Sequence, residues 1–394
     1  MRDSFKNVSA TENNPKWNNI ISRKEELYSR KNDIRSEFER DYTRVIHSLA
    51  YRRMKHKTQV FFLPENDHIC TRAEHVVLVE SIAYTIAKYL GLNTELTKAI
   101  ATAHDIGHSP FGHQGERILS KLSQEYIGKS FWHERNGMEI IDKIELLEAP
   151  DGMMKNLDLT YAVRDGIISH CGEIDENSIK PREEFIDLDD YKEVNQYAPY
   201  TWEGCVVKVS DKIAYLGRDI NDAISMGILD RNLEELYTIL GIEHDKKKIN
   251  NTVLINDFIQ DLCENSSPEK GLCFSKETFE TIKKLKEFNY KNIYFSPKLQ
   301  ESAQYFMIVL NNIFNILKLN YTEPEKAKSI CANLVEDFEK WLKDYSKQER
   351  NEYNKNKALF DINNETDYIQ AIIYYISGMT DNYAIRRYNQ IIQM

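Results

Sequence analysis

The sequence predicts an all-α protein, and three observations support this. The 394 residues include only 15 Gly and 9 Pro, so few positions favour tight turns. Apolar residues recur every three or four positions through long stretches, which is the spacing of one face of an α-helix. Few segments alternate apolar and polar residues as a half-buried strand does. A helical chain of this length can bury a substantial core.

The first clear helix is predicted over residues 71–90. Gly91 fits its C-terminal end, because glycine adopts the left-handed conformation that commonly follows a helix. The apolar stripe of this segment consists of Val76, Val79, Ala83, Ile86, Ala87 and Leu90.

A second helix is predicted to begin with Asn93 or Thr94 as its N-terminal cap and to run to His108, because Pro110 disfavours helix just before it. This places His104 and His108 in its last turn, four residues apart on one face.

A third helix, over 205–226, places Asp211, Tyr215 and Asp219 at four-residue steps on one face. Such a polar stripe in an apolar helix requires a buried partner. Beyond residue 229 the chain is richer in Lys, Asn and Glu, and we interpret the segments 264–271 and 347–357 as loops.

Composition narrows the function classes. The net charge of −10 disfavours nonspecific attraction to nucleic acid or an anionic membrane, so a polyanionic substrate needs a local basic pocket. No uncharged apolar run reaches the ~18 residues of a membrane span, and the polar N-terminus lacks the apolar region of a signal peptide, so we expect a cytoplasmic protein. The six cysteines show no CxxC spacing and are expected to be reduced thiols.

The densest concentration of chemistry lies in residues 104–116, where three histidines and two acids fall within thirteen residues. An adjacent His-Asp pair, His104-Asp105, is typical of a metal site. Together with His75 and Asp211 from the first and third helices, it supplies two imidazoles and two carboxylates, a donor set for a hydrolytic metal centre with positions left for water and substrate. We expect the three helices to bring these four side chains together.

The order of His75, His104-Asp105 and Asp211 resembles the HD-domain phosphohydrolase superfamily. Five segments narrow the resemblance to the dGTPase-like bacterial dNTP triphosphohydrolases. They are 40–47, 51–60, 71–75, 104–116 with the sequence HDIGHSPFGHQGE, and 378–384. The similarity extends from about residue 35 to the C-terminus and is looser over 231–365.

The resemblance implies an all-helical HD-domain core with additional C-terminal helices. We expect an N-terminal extension (1–34), a catalytic core (35–230) and a C-terminal helical region packed on it (231–394). The implied reaction is hydrolysis of dNTPs, dGTP among them, to a deoxynucleoside and inorganic triphosphate by water attack at the α-phosphorus.

By the same resemblance, His75, His104, Asp105 and Asp211 ligate one divalent metal ion. The resemblance favours Mn²⁺ or Mg²⁺, while the donor set also suits Fe²⁺, Co²⁺ or Zn²⁺.

His113 and Glu116 are three residues apart, so the carboxylate can orient the imidazole. The resemblance makes them the catalytic dyad, with His113 acting as an acid toward the leaving 5′ oxygen or as a base that positions water. The alternative is that both only stabilise a helix start. His108 and His133 resemble further catalytic-pocket histidines that contact the phosphates, although simple packing also explains His133.

The resemblance also implies substrate contacts. Tyr215 and Asp219 correspond to residues at the deoxyribose 3′-hydroxyl, and a Tyr ring against C2′ leaves no room for a 2′-hydroxyl. Lys212 and Arg72 correspond to phosphate-binding residues, and a guanidinium suits phosphate. For Arg72 the alternative is a solvated arginine at a helix start.

Two positions depart from the family pattern. Some relatives have Gln where the 3′-hydroxyl is read, and we place His56 at this position. Asn382 replaces a common Arg, so we assign residues 380–384 no substrate contact. For Tyr383 we expect packing in the core, with packing near the base end of the pocket as the alternative.

A basic cluster formed by Arg52, Arg53, Lys55 and Lys57 has four interpretations: the substrate entrance, an anionic effector site, a contact to single-stranded DNA, or a solvated helix face. The resemblance implies a homo-oligomer, commonly a hexamer, with a dNTP effector at a subunit interface. Two other functions stay open: an HD-type nucleotidase or phosphodiesterase, and a non-catalytic module that binds nucleotides or single-stranded DNA.

Overall fold

The computed structural model confirms the all-α prediction. It describes residues 2–28, 33–62, 68–171, 176–229, 233–241, 251–346 and 359–392. In this part of the chain the only sheet is a two-stranded antiparallel hairpin, β1 (Leu147–Glu148) with β2 (Met154–Lys155). The α-helices are α1 (Trp17–Ile20), α2 (Glu37–His47), α3 (Leu49–Met54), α4 (Arg72–Leu90), α5 (Thr94–Ala103), α6 (Gly112–Ile127), α7 (His133–Glu139), α8 (Tyr161–Ser169), α9 (Trp202–Ser225), α10 (Leu233–Leu240), α11 (Asn251–Asn265), α12 (Lys276–Asn289), α13 (Pro297–Thr322), α14 (Pro324–Lys343), α15 (Glu365–Ser377) and α16 (Asp381–Ile392).

Helix α4 begins and ends where the sequence predicts. The Thr71 side chain accepts a hydrogen bond from the Glu74 amide, while the Glu74 carboxylate accepts one from the Thr71 amide. This reciprocal pair satisfies two amide groups that a helix start leaves without partners. Gly91 ends the helix with a φ of 82°, in the left-handed region.

Helix α5 starts as predicted but ends earlier. Asn93 is its N-terminal cap, and the helix ends at Ala103, so the expectation that it runs to His108 is wrong. The chain instead tightens into turns, with the His108 amide donating to the Asp105 carbonyl. Gly107 explains the change: a Cβ there would lie 2.0 Å from the His133 carbonyl oxygen, so the chain passes directly against α7.

Helix α9 confirms the third predicted helix and extends it by one turn at its N-terminus. It packs against α4, α5 and α8, and most of its residues are buried. The N-terminal segment also packs on it: Phe5 meets the Trp202 ring edge-on at 4.8 Å, and Glu203 accepts hydrogen bonds from Ser9 and Ala10.

The buried apolar side chains form two clusters. The first is built mainly from α4, α5 and α7–α12, and the second from α6 and α13–α16. Helices α10–α12 belong to the first cluster, so this apolar core includes residues on both sides of position 230. The predicted domain limits stay a prediction. Of the predicted loops, residues 264–265 still belong to α11, and 347–357 lies outside the described residues.

In the part of the chain that the structure describes, every helix is too short or too polar to cross a bilayer. All six cysteines are free thiols.

Candidate active site and metal centre

A cavity of about 510 Å³ opens beside the start of α4, the start of α6 and the middle of α9. Its wall is mostly made of ionisable or aromatic side chains. Ten of the predicted site residues line it: Arg72, Asp105, His108, His113, Glu116, His133, Asp211, Lys212, Tyr215 and Asp219. The fold therefore places residues from four helices, α4, α6, α7 and α9, and from the turns after α5 around one space.

The four predicted metal ligands lie together. His75 Nε2 is 2.9 Å from Asp211 Oδ1 and 3.9 Å from Asp105 Oδ2. His104 Nε2 is 3.6 Å from Asp105 Oδ1 and 3.8 Å from Asp211 Oδ1. All four side chains are at least four-fifths buried.

The ring of His104 is oriented as a metal ligand. Its Nδ1 lies 2.7 Å from the Ala101 carbonyl oxygen and donates to it, which leaves Nε2 available to a metal ion. This Nε2 is buried and has no hydrogen-bond partner among the described residues. Two imidazoles and two carboxylates around such an atom fit a divalent cation.

Both carboxylates are held in the ionised form that a ligand requires. Burial by itself raises the pKa of Asp105, but Arg72, His104 and His108 outweigh it and hold the pKa well below its ordinary value. Burial also opposes ionisation of Asp211, yet the hydrogen bond from His75 lowers that pKa to about 2. Each of the two carboxylates therefore carries the negative charge that attracts a cation.

Arg72 is not a solvated arginine. It is 1% exposed, and its Nη1 donates to Asp105 Oδ2 at 2.6 Å while the side chain also lines the cavity. On the other side of Asp105, His108 Nε2 lies 3.1 Å from Oδ1. Burial lowers the pKa of His108 well below its ordinary value, which favours the neutral ring.

Glu116 contacts two histidines. Its Oε2 lies 3.1 Å from His113 Nδ1 and 3.1 Å from His133 Nδ1, and its Oε1 accepts from the His133 amide. The His113 side chain is 65% exposed into the open part of the cavity, whereas His133 is buried and stacks on His108 at 3.8 Å. Burial raises the pKa of Glu116, but the two histidines hold it well below its ordinary value.

Asp219 lies deeper on α9 and has a partner that the sequence analysis missed. The Tyr294 hydroxyl donates to Asp219 Oδ2 at 2.5 Å, and Tyr294 lines the cavity. Burial is the main reason that the pKa of Asp219 rises to about 7. Tyr294 comes from the loosely matched half of the chain, and only the predicted need for a buried partner on α9 pointed to such a residue.

The placement of His56 in the pocket is wrong. His56 is exposed and is not among the cavity residues, whereas Gln59 lines the cavity. Gln59 Oε1 is buried without a hydrogen-bond partner in the described ranges. His56 lies where the chain turns between α3 and α4. Gln59, three residues further on, is the side chain of this turn that lines the cavity.

The basic cluster is divided by the fold. Lys57 is buried, and its Nζ donates to the carbonyl oxygens of His108 and Ser377. Arg53 donates to Glu145, while Arg52 and Lys55 are exposed. A uniformly solvated helix face is therefore wrong, and none of the four lines the cavity.

Residues 380–384 support the loop before α6. Asp381 Oδ1 accepts from the Phe111 amide, and Oδ2 accepts from the amide and hydroxyl of Thr58. Tyr383 packs against the second apolar cluster and donates to Asp337. The position of Tyr383 agrees with the expectation that it packs in the core, and the contacts of Asp381 show that the segment supports the loop before α6.

Two further cavity residues, His170 and Cys171, were missed. His170 follows α8, is 2% exposed, and its ring lies 4.9 Å from that of His104. Cys171 Sγ lies 3.2 Å from His133 Nε2. The adjacent His-Cys pair at the end of an apolar helix was the available sequence signal.

Comparisons with known proteins match most of the chain to one family. A family model described as HD domain matches residues 72–216, and one described as Phosphohydrolase-associated domain matches 272–390. A "Deoxyguanosinetriphosphate triphosphohydrolase-like protein" of Caldanaerobacter subterraneus subsp. tengcongensis is 34% identical over 361 residues, covering 91% of this chain and 86% of the relative. Proteins of the same description are 32% identical in Rickettsia bellii (91% and 92% covered) and 33% identical in Clostridium tetani (91% and 86% covered).

Proposed function

The chain belongs to the dGTP triphosphohydrolase-like family of HD-domain phosphohydrolases, and on this premise we propose that it hydrolyses dNTPs, dGTP among them, to a deoxynucleoside and inorganic triphosphate. One observation carries the proposal: the cluster of His75, His104, Asp105 and Asp211 presents its two carboxylates to the cavity that the His113–Glu116 pair also lines. A metal-ligand set and an acid-base pair within reach of one substrate are what phosphate-ester hydrolysis requires.

We propose that these four ligands hold one divalent cation, Mn²⁺ or Mg²⁺ by family resemblance, with Fe²⁺, Co²⁺ and Zn²⁺ compatible with the donor set. The unpartnered Nε2 of His104 and the two ionised carboxylates support this assignment. When bound, such a cation activates water and neutralises charge at the α-phosphate.

His113 is the proposed proton carrier. With Nδ1 donating to Glu116, the ring presents Nε2 to the cavity, where it can protonate the leaving 5′ oxygen or position water. The low pKa of Glu116 keeps its carboxylate charged, which stabilises the imidazolium that a proton transfer creates. His133, held by the same carboxylate, and His108 stacked on it form the adjoining wall.

Substrate recognition is assigned by position in the cavity. Arg72 and Lys212 carry the positive charge suited to the phosphates. Tyr215 and Asp219 are the candidates for the deoxyribose, and Gln59 replaces His56 as the further candidate for the 3′-hydroxyl. The buried, unpartnered Oε1 of Gln59 supports that exchange, because such an atom gains a hydrogen bond when a ligand hydroxyl arrives.

Other features stay predictions: a cytoplasmic location, a homohexamer, a dNTP effector at a subunit interface, and contact with single-stranded DNA. The buried position of Lys57 leaves Arg52, Arg53 and Lys55 as the side chains of the basic cluster that remain outside the core.

Product analysis tests the proposal. Each of the four dNTPs and the ribonucleotides, alone and in pairs, is incubated with the protein in Mn²⁺ or Mg²⁺, and products are separated by chromatography. We expect a deoxynucleoside and intact triphosphate, formed by the wild type and by His47→Ala, a change at an exposed histidine, but not by His113→Ala. Monophosphate with pyrophosphate would show that a different phosphate bond is hydrolysed. No turnover of any nucleotide, alone or in pairs, would favour a binding module.

A further inference from the structure

A second group of metal-binding atoms lies next to the proposed metal centre. His133, His170 and Cys171 each offer one ligand atom, and these three atoms all lie within 4.8 Å of one another. Among the described residues, Cys171 is the only cysteine in such a group. The group differs from the carboxylate-rich centre because it contains a sulfur atom and two imidazoles.

The three side chains are oriented for a shared ligand. His170 Nδ1 donates to the Ile167 carbonyl oxygen at 2.7 Å, and its Nε2 is buried without a partner in the described residues. His133 directs Nδ1 at Glu116, so Nε2 is the atom that faces Cys171 Sγ at 3.2 Å. A backbone or carboxylate contact on Nδ1 is the usual way in which proteins fix a metal-binding imidazole.

We propose that His133 Nε2, His170 Nε2 and Cys171 Sγ form a second cation site for a thiophilic divalent ion of the zinc class. Thiolate and imidazole prefer Zn²⁺, Co²⁺ or Cd²⁺, whereas carboxylate oxygens suit Mn²⁺ and Mg²⁺, so the two groups differ in ion preference. The Glu134 carboxyl group also lies 3.3 Å from His133 Nδ1 and adds to the contacts that orient this ring. As the ion binds, any protons on His133 Nε2 and Cys171 Sγ pass to solvent.

The site also has a consequence for activity, and this part rests on the proposed function. His133 shares the Glu116 carboxylate with His113 and lines the cavity. An ion held by His133 and Cys171 places a second positive charge beside the dyad and narrows the space for substrate. Zinc-class ions are therefore inhibitors of the Mn²⁺- or Mg²⁺-supported reaction.

Cobalt titration of the metal-free, full-length protein tests the site without relying on turnover. Co²⁺ bound to a thiolate produces a near-ultraviolet charge-transfer band, which imidazole and carboxylate ligands do not produce. We expect one thiolate–cobalt unit per chain in the wild type and in Cys273→Ser, a change at a half-buried cysteine outside the cavity. The band should disappear in Cys171→Ser, and cobalt affinity measured by the band should weaken at least about tenfold in His170→Ala.

Absence of the band in folded wild-type protein would overturn the site, as would a band that persists in Cys171→Ser. His170 Nε2 also lies within 4.8 Å of ligand atoms of His104 and Asp105. A band unchanged in His170→Ala would therefore assign His170 to the first centre and overturn the three-residue site.

The inhibition is measured separately, with each protein compared with its own zinc-free rate. We expect the zinc concentration for half-inhibition to rise at least about tenfold in Cys171→Ser and to stay unchanged in Cys273→Ser. Equal inhibition of both variants would overturn the inhibitory role. A protein without hydrolytic activity would contradict the proposed function but would leave the cobalt result, and thus the site, decided by its own measurement.

Discussion

The cavity wall and the layer of helices α13–α16 differ in what they bury. The layer encloses apolar side chains such as Leu310, Ile313 and Phe314, all fully buried. The cavity wall contains Arg72, Asp105 and His108, which are also buried but are charged or polar. Burying such groups is costly even when they are paired, whereas burying apolar surface is the main source of stability. The comparison indicates that the apolar clusters stabilise a site whose polar groups serve chemistry.

Asp211→Asn should have the largest effect on activity of the changes considered, because it alters a polar group of the site. The variant keeps the shape and an oxygen acceptor for His75 but loses an anionic ligand, so we expect the hydrolytic rate to fall more than about 100-fold, beyond the cost of changing a residue that only orients a ligand. In chelator, the free energy of unfolding should fall by about 2–3 kcal/mol, because the variant loses a charge that the lowered pKa of Asp211 shows to be stabilised in the folded chain. Kinetic assays and urea denaturation measure these, with exposed Asp257→Asn as the control. A large loss of stability with normal activity would reverse the comparison.

Phe314→Ala tests the apolar layer of helices α13–α16. Phe314 is fully buried in the second cluster, so truncation should lower the free energy of unfolding by about 3–5 kcal/mol. The rate per folded molecule should stay unchanged because the side chain lies outside the cavity lining. Ile308→Ala, at a 48% exposed position of the same helix, should change stability by less than about 0.5 kcal/mol. Equal losses of stability in Phe314→Ala and Ile308→Ala, measured by denaturation, would contradict the conclusion that burial makes Phe314 stabilising.

Asp219 provides a pH-dependent test of the cost of burying a carboxylate. Its pKa rises from 3.8 to about 7 in the folded chain, so between these values the unfolded state releases a proton that the folded state retains. The contribution of Asp219 to the stability of the metal-free protein therefore falls as pH rises toward 7 and levels off above it. Asp219→Asn lacks this loss, and its stability relative to the wild type should grow over that range by a few kcal/mol, on the order of the shift.

Urea denaturation in chelator across this pH range measures the difference, because a nearby cation would favour the ionised form. Asp257→Asn, at an exposed position, serves as the control and should follow the wild type. If the difference in the free energy of unfolding between Asp219→Asn and the wild type does not vary over this pH range, Asp219 is ionised in the folded protein throughout the range.

Asp381→Ala tests the connection between the cavity wall and the layer of helices α13–α16. Removing this carboxylate leaves the Phe111 and Thr58 amides without their acceptor, at a cost of about 1–3 kcal/mol. Because Phe111 directly precedes α6, on which His113 lies, we also expect a several-fold lower rate. Thermal unfolding and steady-state assays, with exposed Asn382→Ala as the control, measure both. A stability loss with a fully retained rate would show that the connection supports the fold alone.

Local signals in the sequence were sufficient for several elements. The start of α4, its end at Gly91 and the Asn93 cap of α5 depend on groups within a few residues of each helix end, so the printed sequence contains the interacting partners. The spacing of His113 and Glu116 likewise determines a contact within one helical turn.

Contacts between distant segments could not be predicted in the same way. The end of α5 depends on α7 passing against Gly107, and the choice of Gln59 over His56 depends on the turn before α4. The partner of Asp219 is Tyr294, 75 residues away, and His170 and Cys171 reach the cavity from the end of α8. None of these has a spacing that links it to its partner.

The sequence by itself determined the helical class, the family resemblance and the choice of residues that we propose as metal ligands and dyad, since these depend on periodicity and on short motifs. Only the tertiary structure decided where helices end against one another, which side chains enter the cavity, and how burial and neighbouring charges shift their pKa values. The physical reason is that helix propensity and capping act over a few residues, whereas desolvation and Coulomb interactions depend on every segment that packs around a group.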